Sequence, residues 1–362
     1  MRILHTEASP GWGGQEIRIL REAEGMRKRG HHIIMAIRRN GKLAKPAREA
    51  GFIVYELPFD RLRFAVALFH LLRIIRRHDI DVINTHSSID GWIGGIASRL
   101  LRRKVVRTRH LSTPIKPGWN SVVLYNWFAD SVVTTCHVVV DMIRRQARLS
   151  DSRCLSIPTG IDPDDLFVEQ KEAFRFRESL GIDPETCLVG TACVLRSWKG
   201  ISDLLQAARI LRKTPKLKWL IVGGGVSEKY FREQWRAFDL EETVFFTGHL
   251  ENPYAAISSM DVFALLSTGN EGVSQASLQA AYLCKPLLTT TVGGLPEVCL
   301  HGETGYCVSP SSPYEVVESV LQLYENPSLR KVMGEKARRL VLEKFTMEKT
   351  LDDMEFVYKG LK

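Results

Sequence analysis

At 362 residues the chain exceeds what one compact core of usual size organises, so two globular domains are expected. Hydrophobic residues at 44% and charged residues at 25% exclude a disordered or fibrous chain. The net charge of +9 is uneven, because residues 1–160 carry 27 Lys and Arg against 13 Asp and Glu, a balance of +14, and the remainder stands at −5.

Short β-branched runs alternate with helical patterns from the first residue onward, which is the signature of βαβ units and parallel sheets. In the first half, strands are expected at residues 2–5, 32–37, 53–57, 82–84, 105–109 and 131–135. The loop after the first strand holds Gly11, Gly13 and Gly14, and leads into a helix from Ile17 that closes at Arg27, Lys28, Arg29 and Gly30. Basic residues there complement the carbonyl end of the helix, and glycine permits a left-handed cap. Residues 61–77 place Phe64, Ala67, Leu68, Leu71, Ile74 and Ile75 on one helical face, and mix Leu62, Val66 and Phe69 with Arg61, Arg73, Arg76 and Arg77 on the other. That pattern suits an anionic membrane surface, or a packed helix with a solvated basic rim. Residues 157–166 carry two prolines, a glycine and three acids, and mark a domain boundary. The expected organisation is therefore a domain over 1–160, a second over 161–345, and a terminal helix over 346–362 that returns to the first. Second-half strands are expected at residues 187–192, 217–222, 244–247, 261–265 and 287–290. From about Pro327 two charged amphipathic helices follow, with Phe345, Leu351, Met354 and Val357 or Tyr358 as the apolar stripe.

Seven cysteines occur without a C-x-x-C pair, so reduced thiols are expected rather than a disulfide framework or a zinc site. The start at Met1 lacks the apolar core of a signal peptide, and the longest uncharged apolar stretches, such as residues 64–72, are too short to cross a bilayer. A cytoplasmic protein is expected. The basic first half attracts phosphate-bearing partners, and it equally fits a surface that is basic only for solubility.

Arg196 and Lys199 lie in a loop between a strand and the helix from Ile201. Cations at the carboxyl end of a parallel strand suit a diphosphate, and a solvated loop is the alternative. Glycines 223–225 end another strand and add little alone. Asp162-Pro163-Asp164 has the form of an Asp-x-Asp metal site, but Asp before Pro opens a turn, and no metal site is expected.

The most specific segment contains Glu271-Gly272, Lys285-Pro286, Gly293-Gly294 with Glu297, and Gly302 with Gly305. With Gly13-Gly14, His86, His110, Gly160-Ile161-Asp162, Arg196, Lys199, Phe246 and Gly248 in the same order, the sequence resembles the retaining glycosyltransferases of family 4 over nearly its whole length. The resemblance implies the GT-B fold, an α/β architecture of two facing Rossmann-like domains with a cleft between them. It implies a nucleoside diphosphate sugar as donor, bound by the second domain, and an acceptor alcohol on the first.

By the same resemblance, Arg196, Lys199 and the amides of Gly13 and Gly14 stabilise the departing pyrophosphate. No metal cofactor is then required. Glu271 meets the donor sugar, the amides of Gly272, Val273, Ser274 and Gln275 reach sugar and phosphate, and position 279 meets the ribose. The family has Glu at that last position and this chain has Gln279, which removes a charge-assisted acceptor. His110 stands beside the reacting centre, and His86 packs beneath it. The expected acceptor is an anionic glycan or glycolipid of lipid-linked or lipopolysaccharide type, reached by peripheral contact with the inner face of the cytoplasmic membrane. Two competitors are a non-catalytic nucleotide-sugar binder, which Gln279 would suit, and a nucleic-acid-binding protein, for which no motif is present.

Overall fold

The computed structural model of the chain describes residues 1–361. Its contacts separate two units, Met1–Thr159 with the segment from Glu348 onward, and Gly160–Met347.

Among the described residues the first unit holds β1 (Arg2–Glu7), β2 (His32–Arg38), β3 (Ile53–Leu57), β4 (Val82–Thr85), β5 (Lys104–Arg109), β6 (Ser131–Thr134) and β7 (Cys154–Ser156). All pair in parallel in the order β3-β2-β1-β4-β5-β6-β7, so the progression reverses between β1 and β4. Near-continuous apolar runs such as Ile33 to Ile37 are buried because helices cover both faces of the sheet. Leu4, Ile34, Ile83 and Val105 meet Ala67, Leu71, Ile74 and Ile75 of helix Phe64–Arg77 in one core. The other side of that helix leaves Phe69 56% and Val66 48% exposed among its arginines, and Leu62, just before the helix, is 99% exposed.

The second unit holds β8 (Cys187–Ala192), β9 (Leu217–Val222), β10 (Val244–Gly248), β11 (Val262–Leu265), β12 (Leu287–Thr290) and β13 (Gly305–Val308) among the described residues. They too are parallel, ordered β10-β9-β8-β11-β12-β13, with the reversal between β8 and β11. Trp219, Phe231, Leu204 and Leu205 anchor its core. Two parallel-sheet Rossmann-like domains therefore make up the chain.

Several local details differ from the sequence expectation. The edge strands β7 and β13 are additional, being short runs that pair only with β6 and β12. Helix Gly14–Lys28 begins three residues before Ile17, because extended Gly13 already accepts from the Ile17 amide at 3.0 Å. Its end is as the composition dictates, with Arg27 and Lys28 in the last turn and Gly30 at a φ of 85°. Helix Phe64–Arg77 starts inside the amphipathic run, after Arg63 and Asp60 close a turn through a 2.8 Å bond. Asp162 caps a short turn by accepting from the Asp164 amide at 3.1 Å.

Helix Met347–Gly360 packs on the first unit, where Leu351 lies against Gly25. Leu351, Met354, Val357 and Tyr358 are all buried, as their helical spacing dictates. Arg29 bridges Glu348, Asp352 and Glu355 along the outer side. Tyr358 penetrates deepest: its hydroxyl donates to Glu22 Oε1 at 2.6 Å and accepts from Asn84 Nδ2 at 2.7 Å. Tyr358→Phe leaves Asn84 Nδ2 and Glu22 Oε1 with only their long 3.4 Å bond to each other and is expected to cost about 1–3 kcal/mol in urea denaturation. A variant as stable as the parent would show that this bond does not secure the helix.

Candidate active site

Where the order of a parallel sheet reverses, neighbouring connections depart to opposite faces and leave a crevice at the carboxyl ends of the strands. The first unit fills its β1/β4 crevice with histidines. His5 lies on β1 opposite Asn84, His86 follows β4 and His110 follows β5. Their rings lie edge to edge, with interplanar angles of 7° and 29° and centroids 5.3 Å apart for His5 and His86 and 5.2 Å for His86 and His110. His5 Nδ1 lies 3.0 Å from His86 Nε2, and His86 Nδ1 lies 3.0 Å from His110 Nε2. Burial holds His86 and His110 well below the usual imidazole range, reinforced by the neighbouring arginines Arg18 and Arg107. It lowers His5 as well, against the opposing charge of Glu22. All three rings are neutral near pH 7.

Two buried carboxyls stand beside them. Asp90 accepts from the Thr6 hydroxyl and the His86 amide at 2.8 Å each and from the Ser87 amide at 2.9 Å, closing a capping box on helix Ser88–Leu101. Burial, then the charge of Glu7, pushes its pKa up to about 7. Glu7 is also raised by burial, although Ser87, the Ser9 amide and Gln15 all donate to it. Arg18 is fully buried, reaching Ile157 O at 2.8 Å and Thr159 Oγ1 at 2.9 Å. A cavity of about 780 Å³ opens over this crevice, lined by His110, Arg61, Arg107, Arg109, Lys116 and Trp119 among others. Four cations and an aromatic face make it suited to an anionic, sugar-bearing ligand. Gly13 and Gly14 stand at the start of helix Gly14–Lys28 in this unit.

In the second unit the β8/β11 crevice holds an ion pair. Lys199 Nζ bonds Glu271 Oε1, and the Ser267 hydroxyl donates to the same oxygen at 2.7 Å. Ser267 is fixed in turn by Thr290 of β12, whose hydroxyl donates to the Ser267 carbonyl at 2.5 Å. The motif glycines explain how the two charged residues are held. Gly200, at a φ of 69°, follows Lys199 so closely against β11 that an added Cβ would lie 1.8 Å from Leu266 O. Gly293, at a φ of 58°, brings its backbone equally close to Glu271 O. Only glycine fits both the left-handed conformation and the contact.

The remaining predicted residues are spread around this pair. Arg196 is exposed, with its guanidinium 5.2 Å from the Trp198 ring centroid, and does not join the ion pair. Gly272 and Val273 form the loop to helix Gln275–Tyr282, whose cap, Ser274, accepts from the Ser277 amide at 3.4 Å. Gln279 lies half-buried on that helix, one turn beyond Gln275. Sequence reasoning missed His5, Glu7, Arg18, Asp90 and Ser267. The Ser87-x-x-Asp90 spacing is a capping-box signal that points to Asp90. Nothing local marks the other four.

The family model described as Glycosyltransferase Family 4 matches residues 12–165, and that described as Glycosyl transferases group 1 matches residues 172–340. The fold is that of GT-B glycosyltransferases. With both of its domains matched, the chain belongs to the family 4 glycosyltransferases. It is 25% identical over 297 residues to the N-acetyl-alpha-D-glucosaminyl L-malate synthase of Bacillus anthracis, covering 80% of this chain and 77% of that protein. A glycosyltransferase from Rickettsia africae ESF-5 shares the fold with a TM-score of 0.90 at 18% identity, over 99% of this chain and 98% of the other. Anabaena Alr3699/HepE in complex with UDP does so with a TM-score of 0.88 at 21% identity, over 99% of this chain and 100% of the other. Among the described residues no helix is long and apolar enough to cross a membrane.

Gly293→Ala forces a side chain into a left-handed conformation against backbone and should lower stability by at least about 1–3 kcal/mol in chemical denaturation. An alanine variant of parental stability would contradict the role assigned to this glycine.

Proposed function

We propose that this glycosyltransferase moves a sugar, with retention of anomeric configuration, from a nucleoside diphosphate donor to a hydroxyl of an anionic glycan or glycolipid. The observation that carries the reading is the pairing of half-buried Lys199 with buried Glu271 at the β8/β11 crevice. An ammonium and a carboxylate held together there, by backbone that only glycine allows, supply a cation for phosphate and an acceptor for sugar hydroxyls.

As the bond between sugar and diphosphate breaks, negative charge grows on the leaving group. Lys199 and the exposed Arg196 stabilise it, joined by amides from Gly272 to Gln275 at the start of a helix. These chain-borne cations take the place of a metal ion. Glu271 accepts from the donor sugar, and Gln279 exchanges hydrogen bonds with the ribose. The departing phosphate takes the acceptor proton, so no side-chain nucleophile is invoked. The UDP bound by Alr3699/HepE supports a nucleoside diphosphate donor.

The cavity of the first unit is assigned to the acceptor. Its arginines and lysine suit phosphate or carboxylate on the glycan, Trp119 offers a stacking face, and His110 offers a ring nitrogen to it. Exposed Leu62, just before helix Phe64–Arg77, and Val66 and Phe69 among that helix's arginines fit peripheral docking on an anionic membrane from the cytoplasmic side. Gln279 favours a second reading, a sugar-nucleotide binder without turnover, which detectable transfer excludes.

Arg196→Ala, at an exposed position, should cost about 2–4 kcal/mol of transition-state stabilisation in kcat/KM. An unchanged kcat/KM would remove Arg196 from the mechanism. Gln279→Glu should act on donor KM, by roughly 1–2 kcal/mol, with kcat nearly constant. If the parent is inactive with every donor it binds and this variant restores transfer, the second reading holds. Binding to vesicles containing anionic lipid should fall steeply as salt rises. Equal binding to neutral vesicles would contradict the docking.

A further inference from the structure

We infer that His5 and His86 are positioning residues that fix the proton of His110 on Nδ1, so that His110 acts on its ligand as a hydrogen-bond donor and not as a base. The inference rests on the reading of His110 as a ligand-facing residue, and extends it to two residues beneath the site.

Each 3.0 Å nitrogen–nitrogen contact needs one proton between its two atoms. A neutral imidazole carries one proton in all, and burial keeps all three rings neutral. Only two arrangements then satisfy both contacts. In the first, His5 Nδ1–H donates to His86 Nε2, His86 Nδ1–H donates to His110 Nε2, and His110 carries its proton on Nδ1. The second reverses every donation, which places the His5 proton on Nε2.

His5 Nε2 decides between them. It is buried and has no hydrogen-bond partner among the described residues. The second arrangement would bury an N–H donor there with nothing to receive it, whereas the first leaves only a bare lone pair. Unpartnered buried N–H groups are rarer than under-used acceptors. The first arrangement wins, and the choice made at the bottom of the crevice is passed through His86 to His110. Because the rings lie edge to edge in nearly parallel planes, their nitrogens face one another in pairs and do not converge on a common point, as metal ligands would.

The consequence for chemistry follows. His110 is half-buried and lines the cavity. Its Nε2 lone pair is occupied by the His86 proton, so the nitrogen left for a ligand is Nδ1, which bears hydrogen. Such a group orients a sugar hydroxyl or phosphate oxygen by donating to it, and cannot remove the acceptor proton.

The test is long-range ¹H–¹⁵N correlation on the unliganded full-length protein labelled with ¹⁵N-histidine, with the His110 signals assigned by their loss in His110→Gln. Protonated Nδ1 and bare Nε2 at His110 is the expected result. A protonated Nε2, or an equal mixture of tautomers, overturns the inference. His5→Asn keeps a donor near the Nδ1 position and should preserve both the His110 tautomer and kcat/KM. His5→Leu should give mixed tautomers at His110 and about a tenfold fall in kcat/KM. Equal losses in the two variants would assign His5 a purely packing role and overturn its part. The tautomer is read without turnover, so it stays separable from the proposed function. A protein inactive with every donor but protonated on His110 Nδ1 sinks the function alone, and an active one protonated on Nε2 sinks the inference alone.

Discussion

The constraint on which the rest depends is the reversal of strand order in each parallel sheet. Parallel pairing carries every strand's carboxyl end to one edge, and the reversals at β1/β4 and β8/β11 leave that edge open at one place in each unit. Both places collect charged and polar side chains that the surrounding core would otherwise reject. The two solutions differ. In the first unit three linked histidines are kept neutral and the carboxyl of Asp90 has its pKa raised to about 7. In the second, charge is retained by direct pairing of Lys199 with Glu271. A neutral, hydrogen-bonding floor suits sugar hydroxyls, and a paired cation suits a phosphate that can compete for it.

Rigidity comes from beneath in both cases. Thr290 and Ser267 hold Glu271 from neighbouring strands, and Gly200 and Gly293 bring backbone into contact with backbone on either side of the pair. In the first unit Tyr358, Asn84, Glu22 and Arg18 form a buried polar network, with Asn84 opposite His5 across the paired strands. Networks of this kind are stable only when nearly complete, which ties the last helix of the chain to the shape of the first crevice.

Much of this was legible in the sequence, for identifiable reasons. Strands such as β2 and β8 are continuous apolar runs of buried parallel type, and their limits fall within a residue of the pattern. Lys199, Glu271 and the motif glycines lie in short loops with unusual composition, so they stand out. The edge strands β7 and β13 did not, because three or four residues paired on one side leave little pattern to read. His5 lies within β1 and looks like any strand residue until β4 and β5 place His86 and His110 beside it. Arg18 and Glu22 lie on a helix whose charged residues read as solvated, yet both are fully buried, since their partners come from residues 157, 159 and 358. Long-range pairing of that kind is invisible to local periodicity.

The central claim is that the two crevices serve retaining transfer from a nucleoside diphosphate sugar. The most direct measurement is ¹H NMR of the anomeric proton during turnover, with a panel of α-linked nucleotide sugars and an anionic glycolipid acceptor. The account predicts an α-linked product from an α-linked donor. A β-linked product, or failure to consume any nucleotide sugar in the presence of acceptor, would contradict it.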